Sequence, residues 1–296
     1  MTKGVVLFGV NNTHIDYVQL AVMAAGFIRK NMPGTPIALI TDAASRDWHT
    51  SKGKWHLDSF FDYVILLPEN TEQVFENTRP YRDTRYHSVD ASFKNETRST
   101  VYQLTPFDET LLVDVDYIIA NNALSTVWGS SEDFLINKNA NMLQHRPLMG
   151  PEFRLNPYGI RMYWATVIYF KKSEKARLIF DLVEHVRDNW EYYVMLYEMP
   201  GKLFRNDYAF SIAIHILNGL VDSEDIVKDL PIPTIHTALD LDQFYKIQSP
   251  KDLLFFVNDL KDTWKFYVTK LSGVNVHCMN KLSLLNQMDE IMEHLQ

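Results

Sequence analysis

Apolar and polar positions alternate along the chain in blocks that predict strands and helices in turn. Short apolar blocks at 4–10, 36–42 and 62–67 predict three strands. Between the first two, residues 15–31 carry apolar side chains at helical spacing and stop before a Pro-Gly pair. Because such strands are apolar on both faces, this order predicts a mostly parallel sheet covered by helices.

The same pattern predicts further elements along the rest of the chain. These are a helix over 96–104, strands over 110–119 and 164–170, and helices over 173–199 and 207–219. Residues 137–163 are rich in Asn, Pro, Arg and Gly, which predicts loops over a site. We find no internal repeat and no linker, so we predict one domain.

The strand predicted over 110–119 has two carboxylates within an apolar run. Asp114 and Asp116 lie in LLVDVDYII, and an unpaired carboxylate costs several kcal/mol to remove from water. Ligands of open α/β sheets bind outside the carboxyl ends of the strands, and side chains two apart on a strand share a face. The pair is therefore suited to a divalent cation, Mn²⁺ or Mg²⁺. The alternative is that the aspartates cap a helix or pair with arginines.

A histidine late in the chain is a candidate third ligand. In VNVHCMNK, His277 follows an apolar triplet and Lys281 comes four residues later. The imidazole could complete a metal site, and the lysine could meet phosphates that the metal bridges. A lone histidine is more often structural, and the metal interpretation depends on the two aspartates.

Charge and composition narrow the class of protein. The net charge of −8 argues against general affinity for nucleic acid. Residues 79–98 nevertheless carry five Lys or Arg against three acids, with aromatic residues between them, which favours an anionic ligand locally. The single Cys278 fits a reducing compartment, and neither a signal peptide nor a membrane-spanning stretch is visible. We therefore expect a cytoplasmic protein with no membrane partner.

The order of these parts resembles the GT-A-fold glycosyltransferases, over most of the chain from GVVLFGVNN to VNVHCMNK. The chain is also similar to bacteriophage-encoded members, some of which are associated with DNA-base sugar modification. The resemblance implies an α/β fold with a mostly parallel, Rossmann-like sheet covered by helices and an elaborated C-terminal part. It implies a single domain over 1–296, with a nucleotide-binding half at 1–122 and an acceptor-side half at 123–296.

The resemblance also implies the chemistry. The enzyme would move a hexosyl or pentosyl group from a nucleotide-diphospho-sugar, with UDP as the expected nucleotide, to a hydroxyl acceptor. Mn²⁺ or Mg²⁺ would assist by holding the diphosphate. The acceptor could be a glycan, a protein side chain or a small molecule. It could also be a hydroxymethylated DNA base, for which the Arg/Tyr-rich stretch 79–98 would suit the phosphate backbone.

Matching the family's motifs to this sequence gives a set of candidate site residues. The metal ligands would be Asp114, Asp116 and His277. Nucleotide and diphosphate contacts would come from Gly9, Val10, Asn11, Asn12, Tyr17, Asp42, Arg98, Val115 and Lys281. The H-x-x-x-K spacing departs from the commoner H-x-x-G-x-x-K, and Trp164-Ala165-Thr166-Val167 stands where the family often has an Asn-x-Gly-type turn.

Three residues are candidates for a direct catalytic role. Asn206 and Asp207 in FRNDYAFS match the polar pair that the family presents to the donor sugar, and Arg98 would contact the sugar and diphosphate. If the enzyme inverts, Asp207 is the candidate base; if it retains, Asp207 would orient the sugar. The alternative for this pair is an N-cap of the following helix.

Other functions share parts of this pattern. A D-x-D phosphatase or phosphotransferase uses its first aspartate as a nucleophile, but that motif usually lies on the first strand. A nucleotidyltransferase usually has a basic, Gly-rich loop after the first strand, whereas this chain has NNTHIDY. A non-catalytic sugar- or nucleotide-binding relative would be expected to lose the D-x-D or the late histidine.

Overall fold

The computed structural model describes residues 1–296 except 69–74, 76, 83–85, 93, 95, 145–153, 156–158, 200, 202, 222–225, 233 and 263. Its strands are β1 (Lys3–Phe8), β2 (Ile37–Thr41), β3 (Tyr63–Leu66), β4 (Thr78–Arg82), β5 (Ser88–Ser92), β6 (Glu109–Asp114), β7 (Tyr117–Ile118), β8 (Phe134–Asn137), β9 (Asn139–Met142), β10 (Trp164–Lys171), β11 (Thr234–Ala238), β12 (Gln243–Ser249), β13 (Asp252–Asn258), β14 (Phe266–Ser272) and β15 (Val276–Cys278). Its α-helices are α1 (Tyr17–Asn31), α2 (Ala43–Lys52), α3 (Val101–Leu104), α4 (Glu174–Asp188), α5 (Trp190–Leu196), α6 (Asn206–Leu217), α7 (Lys281–Asn286) and α8 (Met288–Leu295).

The main sheet has six strands in the order β3-β2-β1-β6-β10-β8. The first four run parallel, and β10 runs antiparallel to both of its neighbours. The apolar blocks at the sheet centre are fully buried, as expected for strands covered on both faces. The predicted α/β fold with a parallel-rich sheet is confirmed, and the strand predicted over 164–170 supplies its antiparallel member.

Helices pack on the sheet in two groups. On one side, α1 packs against β2 and against α7 and α8 from the end of the chain. A Cβ atom at Gly26 would lie 2.9 Å from Leu295 Cδ1, so glycine permits the close approach of α1 and α8. The α4–α6 pair packs on β10, and the Phe180 ring there lies 4.8 Å from that of Phe170 and 5.5 Å from that of Phe210.

The prediction of one continuous strand over 110–119 is wrong. The strand β6 ends at Asp114, a turn follows at Val115 and Asp116, and β7 then joins a second sheet of order β7-β15-β11-β9. The apolar run continues through the break because residues on both sides are buried, but in different sheets. The turn therefore lies where the chain leaves the main sheet.

Two predicted helices also differ from the structure. The long helix over 173–199 is divided at Asn189, whose side-chain Nδ2 donates to the carbonyl of His185 and competes with the helical pattern. The helix over 96–104 begins as a 3₁₀ segment over Glu96–Thr100 before α3. Among the described residues, no helix combines the length and apolar character needed to cross a membrane.

Candidate active site

A cavity of about 170 Å³ opens beside the carboxyl ends of β1 and β6. Its wall includes Phe8 and Asp114, the last residues of those two strands. This is the edge at which open α/β sheets bind ligands. Most of the predicted site residues line it: Val10, Tyr17, Arg98, Asp114, Val115, Asp116, Asn206, Asp207, His277 and Lys281.

The three predicted metal ligands converge in this cavity. Potential ligand atoms of Asp114, Asp116 and His277 all lie within 4.8 Å of one another. The strand β15 pairs antiparallel with β7, with His277 opposite Tyr117, and Cys278 N–H donates to the carbonyl of Asp116 at 2.9 Å. The turn after β6 and this pairing bring the three groups together, and not the expected alternation of side chains along one strand.

Each aspartate also has a cationic partner in the protein. Arg98 Nη1 lies 2.9 Å from Asp114 Oδ1. Lys281 Nζ forms an ion pair with Asp116 Oδ2, and His277 Nε2 lies 3.4 Å from the same oxygen. The pairing with basic side chains that the sequence left as an alternative is thus present together with the three-ligand cluster.

Burial and charge shift the pKa values of the cluster in different directions. Burial raises the pKa of Asp114 to about 6, although the Arg98 guanidinium opposes the shift. Burial also acts to raise the pKa of Asp116, but Lys281 and His277 outweigh it and hold that pKa well below the usual range. For His277, burial lowers the pKa and the nearby Asp116 carboxylate more than compensates, so the net shift is upward.

The donor set fits a divalent metal ion. Two carboxylates and one imidazole form a mixed oxygen and nitrogen set of the kind that Mn²⁺ accepts. The Nδ1 atom of His277 is buried and has no hydrogen-bond partner within the described part of the chain. Asp114, Asp116 and His277 are therefore the residues that could hold such an ion.

The predicted sugar-side pair lines the same cavity from the start of α6. Asp207 Oδ1 accepts the N–H of Ala165 at 2.8 Å, and its Oδ2 pairs with Arg205 Nη2 at 3.0 Å. The N-cap of α6 is Arg205, without a side-chain capping bond, so the N-cap interpretation of Asn206 and Asp207 is wrong. The carbonyl of Ala165 accepts from Arg98 Nη1 at 2.8 Å, so this peptide segment links Arg98 to Asp207.

Four predicted nucleotide-binding residues do not line the cavity: Gly9, Asn11, Asn12 and Asp42. Asn11 Oδ1 accepts from Val18 N–H at 3.0 Å, and Asn12 Oδ1 accepts from Ile15 N–H at 2.7 Å, so both side chains hold the β1–α1 turn. Asp42 caps α2 by accepting from Ser45 N–H at 2.7 Å. Their predicted contacts with a nucleotide stay predictions.

The structure adds cavity residues that the site prediction did not include. Arg79 and Lys94 line the cavity, from the strand β4 and from just beyond β5. The Arg79 guanidinium lies 4.6 Å from the Tyr81 ring, whose hydroxyl is 2.7 Å from that of Tyr17. The basic composition of residues 79–98 indicated an anionic ligand, but it did not show which of these side chains line the cavity. Trp164 also lines the cavity.

Comparison with known proteins finds solved structures that resemble this fold in part. No family model and no curated protein matches the sequence. The galactosyltransferase LgtC, solved with donor and acceptor sugar analogues, aligns at 16% identity over 76% of this chain and 72% of its own, with a TM-score of 0.46. Mouse xyloside xylosyltransferase 1 aligns at 13% identity over 78% of this chain and 85% of its own, with a TM-score of 0.46.

A third solved structure is the glycosyltransferase GlyE of Streptococcus pneumoniae TIGR4. It aligns at 12% identity over 78% of this chain and 45% of its own, with a TM-score of 0.42. At these identities and TM-scores, the alignments show only a partial similarity of fold. The function of the protein therefore has to be inferred from the residues of the cavity.

Proposed function

We propose that this protein is a metal-dependent glycosyltransferase that moves a sugar from a nucleotide-diphospho-sugar to a hydroxyl acceptor. The observation that carries the proposal is the convergence of Asp114, Asp116 and His277 within 4.8 Å in a cavity at the carboxyl edge of a parallel-rich sheet. The resemblance of the sequence to GT-A enzymes supports the same function and favours a uridine nucleotide.

The charge of the cavity wall supports an anionic donor. Five Lys or Arg line it against three Asp, a surplus of two positive charges in a chain whose net charge is −8. These cations are Arg79, Lys94, Arg98, Arg205 and Lys281. A local positive surplus inside a concave site attracts a polyanion such as a diphosphate.

Two groups of cavity residues would stabilise the leaving group: the candidate metal ligands and two cationic side chains. Asp114, Asp116 and His277 would hold Mn²⁺ or Mg²⁺, which when bound supplies Lewis-acid stabilisation of the diphosphate oxygens. Arg98 and Lys281 line the same cavity and would donate hydrogen bonds to the negative charge that develops as the glycosidic bond breaks.

The contacts of Asp207 favour an orienting role over a basic one. Each of its oxygens already accepts a bond, one from the Ala165 N–H and one from Arg205. A carboxylate held on both sides is well placed to fix the position of a sugar hydroxyl through its remaining lone pairs. We therefore assign Asp207, with the neighbouring Asn206, to positioning of the donor sugar.

For the acceptor, a hydroxymethylated DNA base stays a candidate beside glycans and proteins. Arg79 and Lys94 line the donor cavity, so this part of the basic stretch is available to the diphosphate. A DNA acceptor predicts binding that weakens steeply between 50 and 200 mM salt, whereas binding of a neutral glycan would change little. Titration of hydroxymethylated duplex DNA at those two salt concentrations separates the two classes.

The test of the proposal is release of nucleoside diphosphate from a panel of nucleotide-sugars, with Mn²⁺ or with EDTA. We expect release from at least one donor with Mn²⁺, loss of release in EDTA, and loss in Asp116→Ala. The matched control is Asp240→Ala, which removes an exposed aspartate outside the cavity. If no donor is turned over while phosphate esters are hydrolysed, the phosphatase alternative replaces the proposal.

A further inference from the structure

Trp164 lines the candidate active site and has a buried N–H donor with no hydrogen-bond partner among the described residues. The side chain lines the cavity and is only 4% exposed. Of the six tryptophans, all of which lie in the described ranges, only Trp164 has a buried Nε1 that lacks a hydrogen-bond partner. A buried N–H group without an acceptor is costly, and such groups in native proteins call for an explanation.

A second set of unpartnered donors lies beside it. Arg98 is 4% exposed and uses Nη1 for Asp114 and for the Ala165 carbonyl. Its Nε and Nη2 atoms are buried and have no partner among the described residues. The residues that line the cavity therefore include three buried nitrogen donors with no acceptor among the described residues.

The position of Trp164 is fixed by the chain around it. The next residue, Ala165, is bound through its N–H to Asp207 and through its carbonyl to Arg98. Trp164 pairs with Asn137 of β8, and an irregularity in the strand register follows between Trp164 and Ile168. These hydrogen bonds fix the backbone next to Trp164 to two residues that line the cavity, so the indole belongs to a pre-organised site.

The chemistry of the indole indicates which part of a donor it meets. A neutral N–H donor on a broad apolar ring suits a sugar, which offers hydroxyl oxygens together with C–H groups. The phosphates are better matched by the five cations of the wall. On the basis of the proposed function, we infer that Trp164 Nε1 donates to a hydroxyl oxygen of the transferred sugar and so helps to select that sugar.

The test compares binding of nucleotide and of nucleotide-sugar in Trp164→Phe, which keeps an aromatic ring and removes the N–H. The probes are UDP, UDP-glucose, UDP-galactose, UDP-N-acetylglucosamine and UDP-xylose, titrated with Mn²⁺ by calorimetry. We expect the best-bound UDP-sugar of the wild type to bind about tenfold more weakly, with UDP affinity unchanged, since one hydrogen bond is lost. The matched control is Trp128→Phe, whose ring packs on Tyr169 outside the cavity.

Monodeoxy analogues of the best-bound donor identify the hydroxyl. Removal of the hydroxyl that Trp164 meets should weaken binding to the wild type and should have little effect in Trp164→Phe, as in a double-mutant cycle. Circular dichroism and Tm check that Trp164→Phe folds. If the variant does not fold, the deoxy series on the wild type still tests the inference. The inference is overturned if removal of each sugar hydroxyl in turn leaves binding to the wild type unchanged. Equal losses for UDP and UDP-sugar, or an unchanged ratio, also overturn it. If the wild type binds neither UDP nor any UDP-sugar, the proposed function itself fails for uridine donors.

Discussion

Replacing Lys281 with Met should raise the affinity of the site for Mn²⁺ while lowering the stability of the metal-free protein. Lys281 and Asp116 are 6% and 3% exposed, and they form an ion pair on an oxygen that belongs to the three-ligand cluster. A divalent ion on that carboxylate has to compete with the ammonium group. Without the lysine the competition ends, but metal-free Asp116 then loses its main counter-charge.

The size of both effects follows from burial. Removing one partner of a buried ion pair costs about 3–5 kcal/mol of folding stability. Two unit charges about 4 Å apart at an effective dielectric constant of about 20 interact by about 4 kcal/mol, so an ammonium group would repel a divalent ion by about 8 kcal/mol at that distance. Rotation of Lys281 away from the ion relieves most of this repulsion. We therefore expect a gain in Mn²⁺ affinity of at least about tenfold, which is about 1.4 kcal/mol.

The assay is thermal unfolding in EDTA and over a Mn²⁺ titration, with calorimetry for the affinity itself. Lys281→Met should have a lower Tm than the wild type in EDTA and a larger increase in Tm with Mn²⁺. The control is Lys54→Met, which breaks a surface pair with Asp289 at 3.1 Å. It should change neither the free energy of unfolding nor the free energy of Mn²⁺ binding by more than about 1 kcal/mol. Weaker Mn²⁺ binding in Lys281→Met would refute the reasoning, because it would mean that the lysine supports the ion.

Further predictions concern pH, the sugar side and the core. The pKa of Asp114 is raised to about 6 and that of His277 is raised above its ordinary value, so protons compete with the metal at both ligands as the pH falls. Mn²⁺ affinity should therefore fall by more than about tenfold between pH 7 and pH 5, and a flat calorimetric profile over this range would contradict the prediction. Asp207→Asn should keep an acceptor for the Ala165 N–H but lose the ion pair with Arg205. Steady-state kinetics should therefore show that kcat for donor hydrolysis falls by about 10-fold or more while the Kd for UDP is unchanged. A change confined to the Kd for UDP would exclude an orienting role. Phe180→Ala, at a fully buried site, should cost about 3–5 kcal/mol in urea unfolding, and a loss under about 1 kcal/mol would show that the α4–α6 packing is misassigned.

The sequence predicted the elements whose burial is uniform along their length. The central strands and α1 are buried almost throughout, so their apolar runs stand out. By contrast, α2 was missed, because only Ser45 and His49 of its residues are buried and its sequence is polar. Its Asp42 cap was a local signal, but the sequence interpretation assigned that residue to a ligand.

Breaks within apolar runs could not be seen in the sequence. The run through Val115, Tyr117 and Ile118 stays buried while the chain passes from one sheet to another, so hydrophobicity does not mark the turn. The same limit applies at Asn189, where a single side-chain hydrogen bond separates two helices that share an amphipathic pattern.

The candidate site was predictable where its residues form short local patterns. Asp114, Asp116 and His277 were grouped from a D-x-D and a late histidine, and the structure brings them together. The partners that neutralise the aspartates depend on tertiary contacts between distant segments, such as Lys281 with Asp116. The same holds for Trp164, whose unpartnered Nε1 is visible only in the folded chain.

The proposed metal-dependent transfer of a sugar from a nucleotide-diphospho-sugar requires a metal ion at Asp114, Asp116 and His277. The most direct measurement is a crystal structure with UDP and Mn²⁺, with diffraction data collected at the manganese absorption edge. We expect an anomalous peak bonded to Asp114, Asp116 and His277, with the diphosphate of UDP on the same ion. UDP bound in the cavity without an ion at these residues, or an ion bound elsewhere, would contradict it.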